Sequence, residues 1–307
     1  MNDDRASRRI SLSELQEANL ASISAIVSEI DGLLGDQLAE SDEVTHTLRA
    51  LVHYLSGRSQ AVSMLVSWGY VWDAEIILRS FYETTAKIVY ICLSDVSKRK
   101  ALATEFWLDF EAIHARKTAR IAEFPEKLFK KTDSASSAVF SALRDPKFFN
   151  PDDKRSKSER KAIEQRWSFS EIIESLSKLP DGEYALGDIK VLLHMYGMAS
   201  HLIHADKTAM DLMTDRALRG PAERLILEAS HAGRVLSDQT SLWFFCADAI
   251  RRHLGKQFQN PKGLWLSFDK VQDLGRPLSQ MFSESQREFY ERLGHLPPSD
   301  SCQDGTP

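Results

Sequence analysis

Two stretches of the sequence place polar side chains at helical spacing, and side chains of these types could together bind an anion or transfer a proton. In the first stretch, charges of alternating sign recur every four residues, at Glu75, Arg79, Glu83 and Lys87. This spacing puts all four side chains on one face of a helix. The second stretch is almost wholly apolar, yet it carries a polar stripe at intervals of four, formed by Tyr196, Ser200 and His204. It also carries His194 and His201.

An apolar helix with this many polar groups needs partners for them. A buried polar group without a hydrogen bond is costly, so a matching polar stripe is expected elsewhere in the chain. The simplest interpretation of the first stretch is a solvated, ion-paired helix face. Its Arg and Glu residues are nevertheless the natural partners. We therefore expect a cluster buried between two helices, formed by Arg79, Glu83, Ser200 and His204 and supported by Ser80 and Tyr196.

The predicted cluster has a structural and a catalytic interpretation. In the structural one, Glu83 accepts a hydrogen bond from His204 or Arg79, and the cluster fixes the register of the two helices. In the catalytic one, His204 is the general acid or base, Glu83 orients it, and Arg79 binds an anion such as a phosphodiester. His201 is a second candidate base.

The same two segments resemble a prokaryotic helical family of unknown function, DUF5677. Its pattern is Arg-Ser-x-x-Glu on an early helix and Ser-x-x-x-His at the end of a later one, matched here by Arg79, Ser80, Glu83, Ser200 and His204. The resemblance covers about residues 45–255 and implies an α-helical bundle with a shared polar cluster. It also implies a setting in bacterial stress or phage defence, but it supplies no reaction.

Two functions follow from the cluster. The first is a helical interaction or effector protein of a bacterial stress or phage-defence system, with a protein partner or a homodimer. The second is a metal-independent ribonuclease effector, in which Arg79 stabilises the pentavalent phosphate and His204 moves a proton. Arg224 and His231 also have the spacing of such a pair, but a match of this kind is expected by chance in this composition.

A di-metal helical bundle is the third alternative. The pattern Glu-x-x-His places two ligands on one helix face. The chain has three such pairs, namely Glu43 with His46, Glu111 with His114, and Glu228 with His231. Pairs on helix surfaces are the simpler interpretation, so no metal ligand and no cofactor is assigned.

A local basic patch makes RNA a candidate partner. Its nucleic-acid-binding candidates are Arg116, Lys117, Arg120, Lys154 and Arg155. A solvated segment of mixed charge is the simpler interpretation. The formal net charge of −5 argues against a protein built mainly to coat nucleic acid or anionic membranes.

The sequence predicts a cytoplasmic protein with no membrane partner. Its three cysteines include no Cys-x-x-Cys pair and fit a reducing compartment rather than a disulfide framework. No apolar run follows the polar first nine residues, so no signal peptide is expected. The most apolar windows, at residues 74–93 and 225–250, contain too many charged residues to span a bilayer.

Helical periodicity dominates the chain and predicts the elements that position these residues. We expect an all-α protein, an irregular helical bundle of six to eight helices with a long basic loop excursion at about residues 144–166. Residues 1–40 are predicted to form an N-terminal helix and residues 41–255 the bundle core. Residues 256–307 are predicted to form a C-terminal extension with a disordered tail from residue 297.

Two later segments carry more specific expectations. Gly220 and Pro221 mark the start of a long helix that ends near Leu254. The segment from Asp188 to His204 is apolar nearly all round, so we expect that helix to be buried.

Overall fold

The computed structural model describes residues 2–35, 42–147, 155–179, 189–287 and 291, and these residues form helices and no strand. The all-α prediction is confirmed. The helices are α1 (Asn2–Leu34), α2 (Glu43–Ser67), α3 (Val71–Leu93), α4 (Val96–Thr104), a π-helical segment (Glu105–Phe110), α5 (Glu111–Phe129), α6 (Ser134–Ala142), α7 (Lys157–Arg166), α8 (Phe169–Leu176), α9 (Val191–His204), α10 (Lys207–Leu218), α11 (Pro221–Leu254) and α12 (Pro261–Ser285).

The described part of the chain has more helices than the six to eight predicted. The excess comes in part from short helices such as α6 and α7, with 9 and 10 residues. Two or three turns contain too few apolar positions to show a clear helical period. Short helices are therefore the elements that a periodicity argument misses.

The chain divides into two compact units, and the first contains residues 1–36, 52–85 and 192–307. Its core lies where α1, α11 and α12 pack together. Ile26 and Ile30 of α1 and Trp243 of α11 are fully buried. Asn19 ties α1 to α11, because its amide nitrogen donates to Leu236 O and Thr240 Oγ1, both at 2.8 Å. The predicted N-terminal helix and C-terminal extension thus contribute to one core with α11.

The longest helix of the first unit begins and ends at its expected signals. Gly220 is the N-cap of α11 and Pro221 its first helical residue, where the missing N–H costs nothing. Gly255 ends the helix in the left-handed conformation, with φ +62°. Within α11, Gly233 permits close packing of α12, since a Cβ there would lie 2.7 Å from Leu278 Cδ1.

The second unit contains residues 37–51 and 86–191. Here α4, the π-helical segment and α5 follow one another without an interruption in the chain. Glu105, the first residue of the π-helical segment, accepts hydrogen bonds from Trp167 Nε1, at 2.9 Å, and from Arg166. Phe106 packs on the Trp167 ring with 5.3 Å between centroids. The π-helical segment therefore joins the end of α7 to the α4–α5 rod.

Part of the predicted basic excursion is helical, which corrects the loop assignment. Helix α7 occupies Lys157–Arg166 and begins with a capping box in which Ser156 and Glu159 bond each other's backbone N–H. This Ser-x-x-Glu spacing is a signal for the start of a helix that can be read from the sequence. Residues 148–154 and the predicted tail from residue 297 lie outside the described residues. Among the described helices, none is long and apolar enough to cross a membrane.

Candidate functional site

In the first unit, α3 and α9 meet through a polar cluster formed by Arg79, Glu83, Tyr196 and Ser200. The Arg79 guanidinium donates to Tyr196 Oη at 2.7 Å and to Ser200 Oγ at 3.2 Å. Tyr196 Oη in turn donates to Glu83 Oε1 at 2.7 Å, and Arg79 Nε lies 3.5 Å from the same oxygen. The guanidinium also stacks over the Tyr196 ring, 4.5 Å from its centroid. We call these four residues the Arg79 cluster.

The Arg79 cluster is half-buried rather than buried, which corrects the expectation from sequence. The side chains of Arg79 and Glu83 are 19% and 36% exposed. Burial and the hydrogen bond to Glu83 raise the pKa of Tyr196, so its hydroxyl stays protonated and donates. The cluster is therefore an ion pair bridged by a neutral phenol, an arrangement that fixes α9 against α3 in register.

His204 does not join the Arg79 cluster, against the prediction. It is the last residue of α9, its side chain is exposed, and it makes no hydrogen bond or ion pair with any described residue. The reason is helix geometry, because positions four apart drift by about 40° on a helix of 3.6 residues per turn. Ser200 stays within reach of Arg79, whereas His204, four residues further, has rotated away.

Two other predicted residues have local partners. His201 Nδ1 lies 2.6 Å from Asp206 Oδ2, and Asp206 is the N-cap of α10. This pair spans the turn between α9 and α10, where Ala205 takes a left-handed φ of +47°. Ser80 donates to Ile77 O of its own helix at 2.7 Å. Neither His201 nor Ser80 contacts the Arg79 cluster by a hydrogen bond.

The Glu-x-x-His pairs are not brought together into a metal site. No group of three or more His, Cys, Asp or Glu side chains among the described residues could hold a metal ion. His231 bonds Glu75 of α3 rather than the Glu228 of its own pattern, and Glu228 pairs with Arg224. Glu43 accepts from Thr104 Oγ1 at 2.7 Å.

The candidate nucleic-acid residues are partly neutralised by neighbours in the second unit. Lys117 pairs with Glu164, and Arg155 pairs with Asp109 at 2.5 Å. Arg116 and Arg120 have no carboxylate within 4.0 Å among the described residues, and Lys154 lies outside them. Carboxylates thus neutralise two of the four candidates that the structure describes.

Helix α9 is not buried all round, and its second face lines a large cavity. Ala199 is its one buried residue in the range Val191–His204, and Val191 and Ile203 are 59% and 43% exposed. The cavity, of about 960 Å³, lies within the first unit between α3, α9, α10, α11 and α12. That volume suits a small organic ligand. Its lining includes Trp72, Glu75, Met195, Met198, Leu202, Leu212, Arg216, His231, Arg234 and Phe282.

A charged network forms one wall of the cavity. Glu75, which is 2% exposed, accepts hydrogen bonds at Oε2 from Arg234 and from His231 Nε2, the latter at 3.1 Å. Arg234 also donates to Asp238 at 2.9 Å, and Tyr82 donates to the same carboxylate oxygen at 2.9 Å. Two carboxylates therefore hold one guanidinium between α3 and α11.

Arg216 extends this network from α10. Its Nη1 donates to His231 Nδ1 at 3.0 Å, and its guanidinium stacks on Trp72, 4.1 Å from the ring centroid. Because a guanidinium can only donate, Nδ1 must accept, and the single proton of His231 must lie on Nε2, where it donates to Glu75. His231 is thus neutral in this arrangement.

The pKa shifts in the wall follow from burial and from these contacts. Burial alone would raise the pKa of Glu75, but the hydrogen bond from His231 and the charge of Arg234 outweigh it and hold that pKa below its ordinary value. Burial lowers the pKa of His231, against the opposing effect of Glu75. Burial raises the pKa of Asp238, with Arg234 acting against it. Glu75 is therefore ionised and His231 neutral near pH 7.

Two groups in the wall have unused hydrogen-bonding or charge capacity. Glu75 Oε1 is buried and has no hydrogen-bond partner among the described residues. Arg216 has no carboxylate within 4.0 Å among the described residues, and burial lowers the pKa of its guanidinium without removing its charge. A buried acceptor and a guanidinium without a close carboxylate among the described residues, both beside a cavity, are the groups that a polar ligand would satisfy.

The sequence signals for the cavity were weak. Glu75 stood in the charged stripe of α3, yet its spacing indicated a solvated face as readily as a buried one. His231 occurred in two chance-level patterns, with Arg224 and with Glu228. Its actual partners, Glu75 and Arg216, lie on other helices. No spacing rule within one helix could have found them.

The comparison with known families supports the resemblance seen in the sequence. Residues 48–217 match a family of unknown function (DUF5677), and this range contains the whole Arg79 cluster as well as Glu75 and Arg216. The matched range is more than half of the 307-residue chain. No curated protein and no solved structure gives a significant match. The chain therefore belongs to the family of unknown function DUF5677.

Proposed function

We propose that the first unit binds a small organic anion in the cavity between α3, α9, α10, α11 and α12. The observation that carries this proposal is the Arg216 guanidinium, which lines the cavity with no carboxylate within 4.0 Å among the described residues. A guanidinium that makes no ion pair with a described residue, in a mainly apolar cavity, attracts a phosphate or carboxylate group, to which it can donate two parallel hydrogen bonds.

The remaining lining defines the rest of the ligand. Glu75 Oε1 is an ionised acceptor to which no described residue donates, so a ligand N–H or O–H group would satisfy it. Met195, Met198 and Phe282 offer polarisable and aromatic surface for an apolar or planar body. The ligand class is therefore an organic anion with one hydrogen-bond donor and an apolar body, of a size up to that of a nucleotide.

In this proposal the Arg79 cluster is a positioning element rather than a catalytic one. Tyr196 and Ser200 hold one face of α9 on α3, while Met195 and Met198 on another face line the cavity. Fixing the register of α9 also fixes its cavity face. In this proposal the role of Arg79 is thus to hold α9 in the position that forms the cavity wall.

We retain the effector role in bacterial stress or phage defence as the setting of this binding activity, with the ligand as its signal. The ribonuclease alternative has less support. It needs a base beside Arg79, but the Arg79 guanidinium is engaged by Tyr196, Ser200 and Glu83, and His204 has no oriented partner among the described residues. Growth arrest and RNA cleavage that His204→Ala abolishes would restore that alternative.

The proposal is tested with a matched pair of probes, 1-naphthyl phosphate and neutral 1-naphthol, by isothermal titration calorimetry on the full chain. We expect the phosphate to bind and the naphthol to bind at least about tenfold more weakly, since charge-assisted hydrogen bonds are worth roughly 1.5–3 kcal/mol. Arg216→Gln should remove this preference. Arg224→Gln is the matched control, because Arg224 lies on α11, pairs with Glu228 and does not line the cavity.

Two results would overturn the proposal. One is the absence of binding by both probes and by inorganic phosphate. The other is an equal loss of affinity in Arg216→Gln and Arg224→Gln, which would show that overall charge rather than the cavity attracts the anion.

A further inference from the structure

The second unit carries an exposed apolar stripe on α5. Ile121, Phe124 and Leu128 are 70%, 74% and 57% exposed, and they follow one another at intervals of three and four residues. That spacing puts them on one helix face over about 10 Å of helix length. The face lies opposite the buried Ala119 and Ala122. Apolar side chains at these intervals are the seam by which one helix packs on another.

The helix that carries the stripe is itself packed against a second helix. Helix α6 packs beside α5, and the two form a helical hairpin in which Phe129 and Phe140 stack with 6.0 Å between centroids and an interplanar angle of 9°. Asp133 caps α6 with its side chain, which accepts from Ala135 N and Ser136 N. The aromatic contact between α5 and α6 is made by Phe129 and Phe140 rather than by the stripe. The stripe therefore remains exposed and could contact another molecule.

The surroundings of the stripe are strongly basic. Residues 116–147 contain eight Lys and Arg and four Asp and Glu, a net charge of +4 in a chain whose net charge is −5. Two of the four acidic residues, Glu123 and Glu126, are already paired with Lys127 and Arg144. Three exposed cations flank the stripe in the sequence, namely Arg120 before it and Lys130 and Lys131 after it. None of them has a carboxylate within 4.0 Å among the described residues.

We infer that the α5–α6 hairpin docks an acidic amphipathic helix of a partner protein. The apolar stripe packs against the apolar face of that helix, and the cations Arg120, Lys130 and Lys131 at its two ends select a partner with Asp or Glu beside its own apolar positions. An RNA strand would neutralise the cations but would leave the seam without a partner. A second copy of this chain would bring its own excess of positive charge to the contact and is disfavoured by repulsion.

The test uses a fluorescent synthetic helical peptide of about 18 residues, with leucine at intervals of three and four and glutamate at the flanking positions. A second peptide replaces each glutamate with lysine. Fluorescence anisotropy measures binding of each to the full chain, to Phe124→Ser and to Val96→Ser. Val96 is the matched control because it is 77% exposed on α4 of the same unit. Circular dichroism of each variant checks that the helices are intact.

We expect the acidic peptide to bind and the lysine peptide to bind at least about tenfold more weakly. Phe124→Ser should weaken the acidic peptide by about tenfold or more, since aromatic anchors dominate helix docking, while Val96→Ser leaves it unchanged. Lys130→Glu together with Lys131→Glu should reverse the preference between the peptides.

Other outcomes would overturn the inference. Equal binding of both peptides, or equal loss in both serine variants, would show that the stripe is not a specific seam. Phe124-dependent self-association in analytical ultracentrifugation would assign the surface to a second copy. Phe124-dependent binding to phosphatidylserine vesicles or to a single-stranded RNA, without binding of the acidic peptide, would assign it to a lipid surface or to nucleic acid.

Discussion

Replacing Glu75 with glutamine should destabilise the first unit by about 2 kcal/mol, because the substitution keeps the shape of a buried side chain and removes its charge. Glu75 is 2% exposed and accepts hydrogen bonds from Arg234 and His231. A buried ion pair that loses one partner costs roughly 3–5 kcal/mol. We expect less, because the Arg234 side chain is 34% exposed and keeps its 2.9 Å contact with Asp238.

Thermal unfolding of the full chain measures this effect, and about 2 kcal/mol corresponds to a fall in Tm of roughly 4–8 °C. Glu83→Gln is the matched control, since it makes the same exchange on α3 where the side chain is 36% exposed. For that variant we expect a loss below about 1 kcal/mol. Equal losses in the two variants, or an unchanged Tm for Glu75→Gln, would refute the argument that the buried charge organises the cavity wall.

Two further predictions concern the same unit. Tyr196→Phe removes the hydroxyl that joins Arg79 to Glu83 and should lower the free energy of unfolding in urea by about 1–2 kcal/mol. His204→Ala, at an exposed position with no hydrogen bond to a described residue, should change this free energy by less than about 0.5 kcal/mol. The reverse order of the two effects would contradict the cluster geometry. The pKa of His231 is lowered in the folded protein, so the imidazole of the unfolded chain takes up a proton at a higher pH than that of the folded chain. The stability that the neutral imidazole contributes is therefore complete above about pH 6.5, and it is lost as the pH falls towards the lowered pKa of the folded state. Urea unfolding at about pH 7.5 and about pH 5.5 should therefore show a smaller difference in His231→Gln than in the wild type, and an unchanged difference would exclude His231 as its source.

Helical spacing in the sequence was sufficient to single out α3 and α9 as helices with complementary polar faces. Arg79, Glu83, Tyr196 and Ser200 are in contact in the structure. His204 was included because a repeat of four appears regular in the sequence. On a helix of 3.6 residues per turn, each step of four residues turns the side chain by about 40° about the helix axis. His204 therefore faces away from the direction that Tyr196 and Ser200 share.

The cavity wall could not be found in this way. Arg216 and His231 are 15 residues apart, and Glu75 lies 156 residues before His231. Their contact depends on how α3, α10 and α11 pack, which no local pattern records. The burial of α9 was overestimated for a related reason. Apolar composition shows that a helix avoids water, but it does not distinguish contact with a protein core from contact with a ligand-sized space.

The π-helical segment Glu105–Phe110 has a consequence for variation in chain length. A π turn is in effect an α-helix that has gained one residue, so shortening this segment by one position would restore ordinary α-helical geometry without breaking the rod. The extra residue is absorbed within the π turn, so the helix that follows keeps its direction and its facing. Loss of one codon within this segment, ahead of Phe110, would therefore leave the seam on α5 facing its present direction. Loss of a codon within regular α5, where no π turn absorbs the change, would instead turn every following side chain by about 100° about the helix axis.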